Sequence, residues 1–447
     1  MEKAAEQLEY KSNSISLGGA VAMGTGVMIG AGIFALTGQI AELAGPMFPW
    51  TFIAGAAVTA ICAHAYVKMS NAWPSSGGIA MILTKCYGGG GLAAGAALLM
   101  ALSMVIAESL VARTFATYLL RPFEIDGGPL VPTLAVAVIG FAFLVNIAGN
   151  RSIGQFSLVM AALKIGGIAA FGVAAVWSSG IDFSSMSASA DDSHLTGFIG
   201  SVALAILAYK GFTTITNSGA EITHPKRNVG RAILISIAIC VALYLLVAFG
   251  VGSSLSIDQI IAARDYSLAE AAEPALGRLG FLLTVVLAVI ATASAVLASV
   301  FAVSRMLAML TTMELIPHSH FGMSGSIQRH TLVYTVVIAS LLAVLFDLSR
   351  IASLGVYFYL IMDMLIQFGV WRYRRKEIGA SATLLLTALL LDAVVLSAFT
   401  IIKLQSDPTI VACAIIGIAV VFSFERVFLG RWLVRDEPAE IGLGRSD

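Results

Sequence analysis

Charge is what this sequence has least of. Only 12% of its 447 residues are Asp, Glu, Lys or Arg, and 26 basic residues cancel 26 acidic ones, whereas roughly a quarter of a soluble domain is charged. No basic block is present, which excludes nucleic acid as a partner. Cysteine is scarce too: Cys62, Cys86, Cys240 and Cys413 lie in or beside apolar stretches, without metal-ligand spacing or the density of a disulfide scaffold, and read as small core residues. A cleavable signal is also missing, because MEKAAEQLEYKSNS is polar and the apolar stretch after it far exceeds a signal's core. Cofactor motifs are absent as well. Gly88–Gly91 lacks the Gly-Lys-Ser/Thr ending of a phosphate loop and reads as a hinge. His318, His320 and His330 share a loop with no cysteine or acid cluster at ligand spacing, so no metal is expected there. His64 reads as hydrogen-bonded structural filling.

What remains is apolar: 58% of the chain is hydrophobic, and a chain of that kind needs lipid as its solvent. A helix crosses the hydrocarbon in roughly 20 residues. About twelve apolar stretches of that order occur, near 17–43, 47–68, 92–120, 130–148, 153–178, 195–220, 229–253, 279–304, 331–346, 350–371, 382–403 and 409–429. The fold class is therefore an all-α, multi-pass membrane protein of about twelve transmembrane helices in one domain, with the lipid bilayer as its surroundings.

Lys and Arg near span ends stay cytoplasmic. With the N-terminus inside, Lys68, Lys85, Arg151, Lys226, Arg227, Arg231, Arg329, the Arg372–Lys376 cluster, Arg426, Arg431 and Arg435 all fall inside, and only Arg121, Arg264, Arg278, Arg350 and Lys403 fall outside. The loop between spans five and six carries three Asp and neither Lys nor Arg, as suits an external loop. Both termini are expected in the cytoplasm.

Two spans are interrupted. Span one has glycine at 18, 19, 24, 26, 30, 32 and 38. Each weakens a helix by about 1 kcal/mol relative to Ala, although small residues also serve close helix packing. Span six breaks its apolar run at Tyr209-Lys210-Gly211. Interruptions five spans apart point to an inverted repeat, with 17–178 as the first unit, 195–371 as the second, 382–429 as two additional helices, and 1–16 and 430–447 as cytoplasmic tails. Unwound backbone at the midplane would present N–H groups to a carboxylate and C=O groups to an ammonium, which suits an amino acid.

These residues carry a resemblance. Ile29-Gly30-Ala31-Gly32-Ile33-Phe34 resembles the first-helix motif of the amino acid permeases of the amino acid-polyamine-organocation superfamily, usually Gly-Ser-Gly, here with Ala31 for Ser. Tyr209-Lys210-Gly211-Phe212, followed by Gly219-Ala220-Glu221 and His224-Pro225-Lys226-Arg227-Asn228-Val229-Gly230-Arg231-Ala232, resembles their helix-six break and the segment after it. Trp73-Pro74-Ser75-Ser76-Gly77-Gly78 resembles their cytoplasmic loop after helix two. The resemblance implies the five-plus-five inverted repeat of the bacterial leucine transporter, with helices 1 and 6 broken. It places substrate against Met28, Ile29, Gly30, Ala31, Gly32, Leu207, Ala208, Tyr209, Lys210 and Gly211. Tyr209 reads either as an aromatic wall over substrate or as a packing aromatic.

Ionisable side chains inside a membrane cost on the order of 3 kcal/mol and ask for a partner or a function. Lys164, in span five, sits where sodium-independent permeases place a lysine; it reads either as a proton carrier or as a fixed ammonium in place of sodium. Ser294 and Ser299 resemble sodium ligands, which that lysine makes less fitting. Lys210 departs from the family's uncharged residue and reads either as a substrate contact or as the partner of an internal acid, Glu108 first, although Glu108 has Arg113 as another partner. Asp363 is embedded in span ten. Glu221, beside Lys226 and Arg227, reads as a gate or structural ion pair. Thr213 stands where a related exchanger has an acid.

The resemblance implies a secondary active transporter of an amino acid or related small metabolite in the cytoplasmic membrane. Proton symport is the first expectation. Amino acid or metabolite exchange and a non-transporting receptor of the same fold are the alternatives.

Overall fold

The computed structural model describes residues 14–75, 77–125, 127–148, 153–180, 192–313, 315–316 and 327–433. Ser76, Arg151, Asp182, Asp191, His318, His320, Arg435 and most of both tails lie outside them. The helices are α1 (Leu17–Ala44), α2 (Phe48–Ala72), α3 (Gly78–Tyr87), α4 (Gly91–Leu120), α5 (Leu130–Ala148), α6 (Ile153–Ser179), α7 (Asp192–Tyr209), α8 (Thr213–Asn217), α9 (Pro225–Ser254), α10 (Ile257–Ala262), α11 (Ser267–Thr312), α12 (Ile327–Leu345), α13 (Leu348–Gly369), α14 (Ala382–Ser406) and α15 (Pro408–Leu433).

Local chemistry sets the ends. Ser16 caps α1 by accepting from Gly19 N at 3.1 Å, and Asp347 caps α13 by accepting from Arg350 N at 2.8 Å. Gly88–Gly90 is the turn between α3 and α4, with Gly88 in the left-handed region at φ 77. α11 bends at Gly277, φ 71, three residues after Pro274.

By length and composition, ten helical stretches among the described residues can cross a membrane, one of them running from Gly32 through Ala72. Leu17–Gly30 is the first half of the continuous α1, and Gly78–Tyr87 and Arg329–Leu345 are apolar but shorter. The expected count of about twelve thus resolves into ten long stretches and these shorter ones, with the span at 331–346 in the shorter class. Burial sorts the bundle: the most apolar windows of α4 and of the 195–217 stretch are 83% buried, whereas those of α5, α14 and α15 are only 28% buried. α4 and α7 are therefore central, and the outer helices turn Phe141, Leu144, Leu390, Ile415 and Val420 outward, as lipid contact requires. The chain is a multi-pass membrane protein.

One expectation is overturned. α1 is helical from Leu17 to Ala44 without interruption. Its glycines serve approach instead: a Cβ on Gly24 would lie 2.6 Å from Ile215, and one on Gly30 2.5 Å from Ala295 of α11. Packing against neighbours offsets the propensity cost, so the helix persists. The sixth span does break, at a tight 3-10 turn over Lys210–Phe212 between α7 and α8.

Candidate functional site

The segment Met28–Gly32 of α1 lies directly against the break after α7. A Cβ on Gly211 would come within 2.8 Å of Met28 N, and one on Gly32 within 2.8 Å of Ala208 O, so only hydrogen fits at either point. Tyr244 of α9 spans the junction, its hydroxyl 2.7 Å from Met28 O and 3.2 Å from Ala208 O. Tyr209 is buried; it donates to Phe52 O at 3.2 Å, and its ring packs on Tyr244 with centroids 5.0 Å apart. Its side chain thus belongs to the packing between α7, α2 and α9. Ile29 is buried as well, and Leu207 lies against Gly355 of α13. For Ala31 only the backbone is described.

Lys164 is buried and reaches α1, its Nζ donating to Gly26 O at 3.3 Å. It thus touches the helix-one backbone two residues before Met28. Ser294 and Ser299 donate back to Ala291 O and Val296 O of their own helix.

Lys210 does not pair with Glu108. Its Nζ donates to Ser103 O at 2.9 Å and to Ser103 Oγ at 3.0 Å, and it lies 5.8 Å over the Tyr359 ring. Ser103 and Glu108 are five residues apart on α4, so the lysine meets the serine's face and the acid points elsewhere. Glu108 does not pair with Arg113 either, whose Nη1 donates to Ala343 O at 2.7 Å. Glu108 is fully buried, and neither carboxyl oxygen has a hydrogen-bond partner among the described residues.

Glu221 forms an ion pair, but with Arg305 of α11 at 2.8 Å rather than with Lys226 or Arg227. The same end is tied further: Ile15 N donates to Glu221 O at 2.9 Å, and Ile79 N donates to Asn217 Oδ1 at 3.2 Å, docking the start of α3 on the end of α8. At the opposite end, Gln39 Nε2 donates to Asp265 at 2.7 Å and Arg264 pairs with Glu42 at 3.2 Å. Burial there pushes the Asp265 carboxyl above its usual range.

Asp363 accepts from the Tyr66 hydroxyl on one oxygen and from Gln367 Nε2 at 3.2 Å on the other. Beside it stands Asp392 of α14, which sequence reasoning missed. The signal was present: Asp392 is a lone acid in the apolar run TLLLTALLLDAVVLS, the pattern that flagged Asp363. Glu425 in span twelve, buried with both oxygens unpartnered among the described residues, was missed for the same reason. Arg305 and Tyr244 were missed with no such signal, since periodicity does not say which backbone a hydroxyl or guanidinium will meet.

Sequence comparison supplies the lineage. The family described as amino acid permease matches residues 15–424. An uncharacterised protein of Methanocaldococcus jannaschii is 30% identical, over 80% of this chain and 82% of its own length. An inner membrane transport protein of Escherichia coli is 29% identical over 86% and 89% of the two chains. A branched-chain amino acid permease of Lactococcus lactis is 27% identical over 80% and 81%. With helix six broken at Lys210–Phe212 and packed on Met28–Gly32, and with a family match over nearly its whole length, the chain belongs to the amino acid permeases of the amino acid-polyamine-organocation superfamily.

Proposed function

We propose that this membrane transporter of amino acids or related metabolites is a sodium-independent, proton-coupled amino acid symporter of the cytoplasmic membrane, with both termini inside. Substrate is held at the junction of Met28–Gly32 with Leu207–Gly211, and access alternates as α1 and the α7–α8 break move apart. The observation that carries this reading is Lys164 Nζ on Gly26 O. A fixed ammonium at that carbonyl supplies the positive charge a bound sodium ion would otherwise bring to the helix-one backbone.

Helix pairing supports the five-plus-five repeat. α1 packs on α7, α2 on α9, α4 on α11 and α5 on α12, each a helix of 17–178 against its counterpart in 195–371. The polar contacts agree with the orientation, since Arg305, Glu221, Lys85 and Arg374 find partners at one end, and Arg121, Arg264 and Arg350 at the other. The branched-chain specificity named for the Lactococcus lactis relative and the apolar side chains of Met28, Ile29 and Leu207, buried at the junction, favour a neutral, aliphatic amino acid.

Proton-driven uptake in proteoliposomes tests this. Liposomes given an inward proton gradient should accumulate labelled leucine, and Lys164→Ala should abolish that uptake while still inserting and purifying as a folded protein. Retention of bound leucine without transmembrane movement would make the protein a receptor, and full uptake by Lys164→Ala would remove the lysine from the mechanism.

A further inference from the structure

Away from the substrate junction, α2, α13 and α14 enclose a second set of ionisable groups. The carboxylates of Asp363 and Asp392 and the thiol of Cys62 lie mutually within 4.8 Å, and all three side chains are buried. Two carboxylates in contact inside an apolar bundle do not both ionise, because burial and like charge each penalise the second anion. The hydrogen bonds sort the two. Asp363 accepts a donor on each oxygen, from the Tyr66 hydroxyl and from Gln367 Nε2, as an ionised carboxylate does. Asp392 faces only the weak Cys62 thiol, 3.6 Å from Oδ1 and 3.7 Å from Oδ2, and the other acid. The Gln367 carboxamide adds an independent sign. Its Nε2 is held by Asp363 and by Cys62 O at 3.0 Å, while its Oε1 is buried beside the pair with no partner among the described residues. That acceptor is free to take one further donor.

We infer that Asp392 and Asp363 form a proton-binding site, with one proton shared between the two carboxyls and resident on Asp392. The titratable groups facing the pair are Cys62 and Tyr66 from α2 and Tyr359 from α13; among the described residues no cation acts on Asp392. Release leaves two adjacent carboxylates in an apolar surrounding, so it requires the helices to part or water to enter. Binding restores a neutral acid beside an anion.

The site reaches the substrate junction through two contacts. Phe212 of the helix-six break packs edge-on against Tyr66 with centroids 5.2 Å apart, and Lys210 of the same turn lies over Tyr359. Movement of the break is therefore felt at Asp363. This rests on the symport reading above: the acid pair carries the proton, and Lys164 stays the fixed charge.

Infrared difference spectroscopy of the purified full-length protein in lipid, titrated in pH, reads the proton without any substrate. The protonated carboxylic acid signal of the wild type at neutral pH should lose one component in Asp392→Asn, over whatever the buried Glu108 and Glu425 contribute to wild type and variant alike. In Asp363→Asn, with the repulsion gone, Asp392 should ionise more readily and the signal should fade at lower pH. Uptake by either variant should lose its dependence on an imposed proton gradient. A signal unchanged in both variants overturns the inference, as does a wild-type protein carrying one equivalent of a metal ion that the variants lack. If no amino acid is moved by the wild type, the transport reading fails, while the infrared result still decides whether the pair holds a proton.

Discussion

Lys210 shows how far a single residue can be read. Its position in the helix-six break suggested either a substrate contact or a pair with Glu108; its ammonium rests on the carbonyl and hydroxyl of Ser103, which rules out the pair with Glu108. A charge satisfied in this way acts as a strap between the break and α4. Lys210→Met should therefore lower the thermal midpoint of the purified protein, because a buried charged hydrogen bond contributes about 1.5–3 kcal/mol. The order in which competing amino acids inhibit uptake should stay the same. A variant that changed its ranking of acidic against cationic competitors would put the lysine on the substrate instead.

Sequence marked Lys164, Lys210, Glu108 and Asp363 as unusual and passed over Asp392 and Glu425, although an ionisable group in an apolar run is visible without a structure. Partners were another matter. Glu221 lies five residues from Lys226 and six from Arg227 along the chain, yet Arg305, more than eighty residues away, is the one that reaches it. Glu108 had two plausible cations nearby and meets neither. Which face of a helix a side chain takes is decided by packing that a linear reading does not contain.

At the scale of elements, the junction of α1 with the α7–α8 break depends on Tyr244. Its hydroxyl lies against Met28 O and Ala208 O, one carbonyl from each side. Loss of one such bond costs about 1 kcal/mol, so Tyr244→Phe should raise the KM for uptake about five- to tenfold with near-normal expression. An unchanged KM would show that the hydroxyl is dispensable. Gly211→Ala is harsher, because its methyl would press on the Met28 backbone at 2.8 Å.

The break in helix six was legible because Tyr209-Lys210-Gly211 interrupts an apolar run with a charge and a glycine together. The break expected in helix one rested on glycine density alone. Glycine density has two meanings, a weak helix or a close neighbour, and Gly24, Gly30 and Gly32 all turned out to face close neighbours. The proposed repeat is a further case: hydropathy placed the helices, and the contacts of α1 with α7, α2 with α9, α4 with α11 and α5 with α12 are what the structure adds in its favour.

Across the whole molecule, ion pairs at one end lace the outer helices to the core. Arg350 at the start of α13 holds Asp407 before α15 at 2.7 Å, and that guanidinium keeps the Asp407 carboxyl below its usual range. A carboxyl lowered in the folded state contributes stability above its unfolded pKa, about 3.9, and loses it as pH falls through the lower folded value. The thermal midpoint of the purified protein should thus drop as pH falls below about 4, and Arg350→Gln should remove part of that drop. An identical acid profile in the variant would mean that the pair contributes nothing to cohesion.

The central claim is that a proton gradient drives an amino acid through this bundle. The measurement that tests it most directly is accumulation of labelled leucine in proteoliposomes under three conditions: an inward proton gradient, an inward sodium gradient, and internal leucine with no ion gradient. Accumulation above the external concentration with the proton gradient, and none with sodium, is the predicted result. Uptake that occurs only with internal leucine, whatever the gradient, would contradict it and make the protein an exchanger.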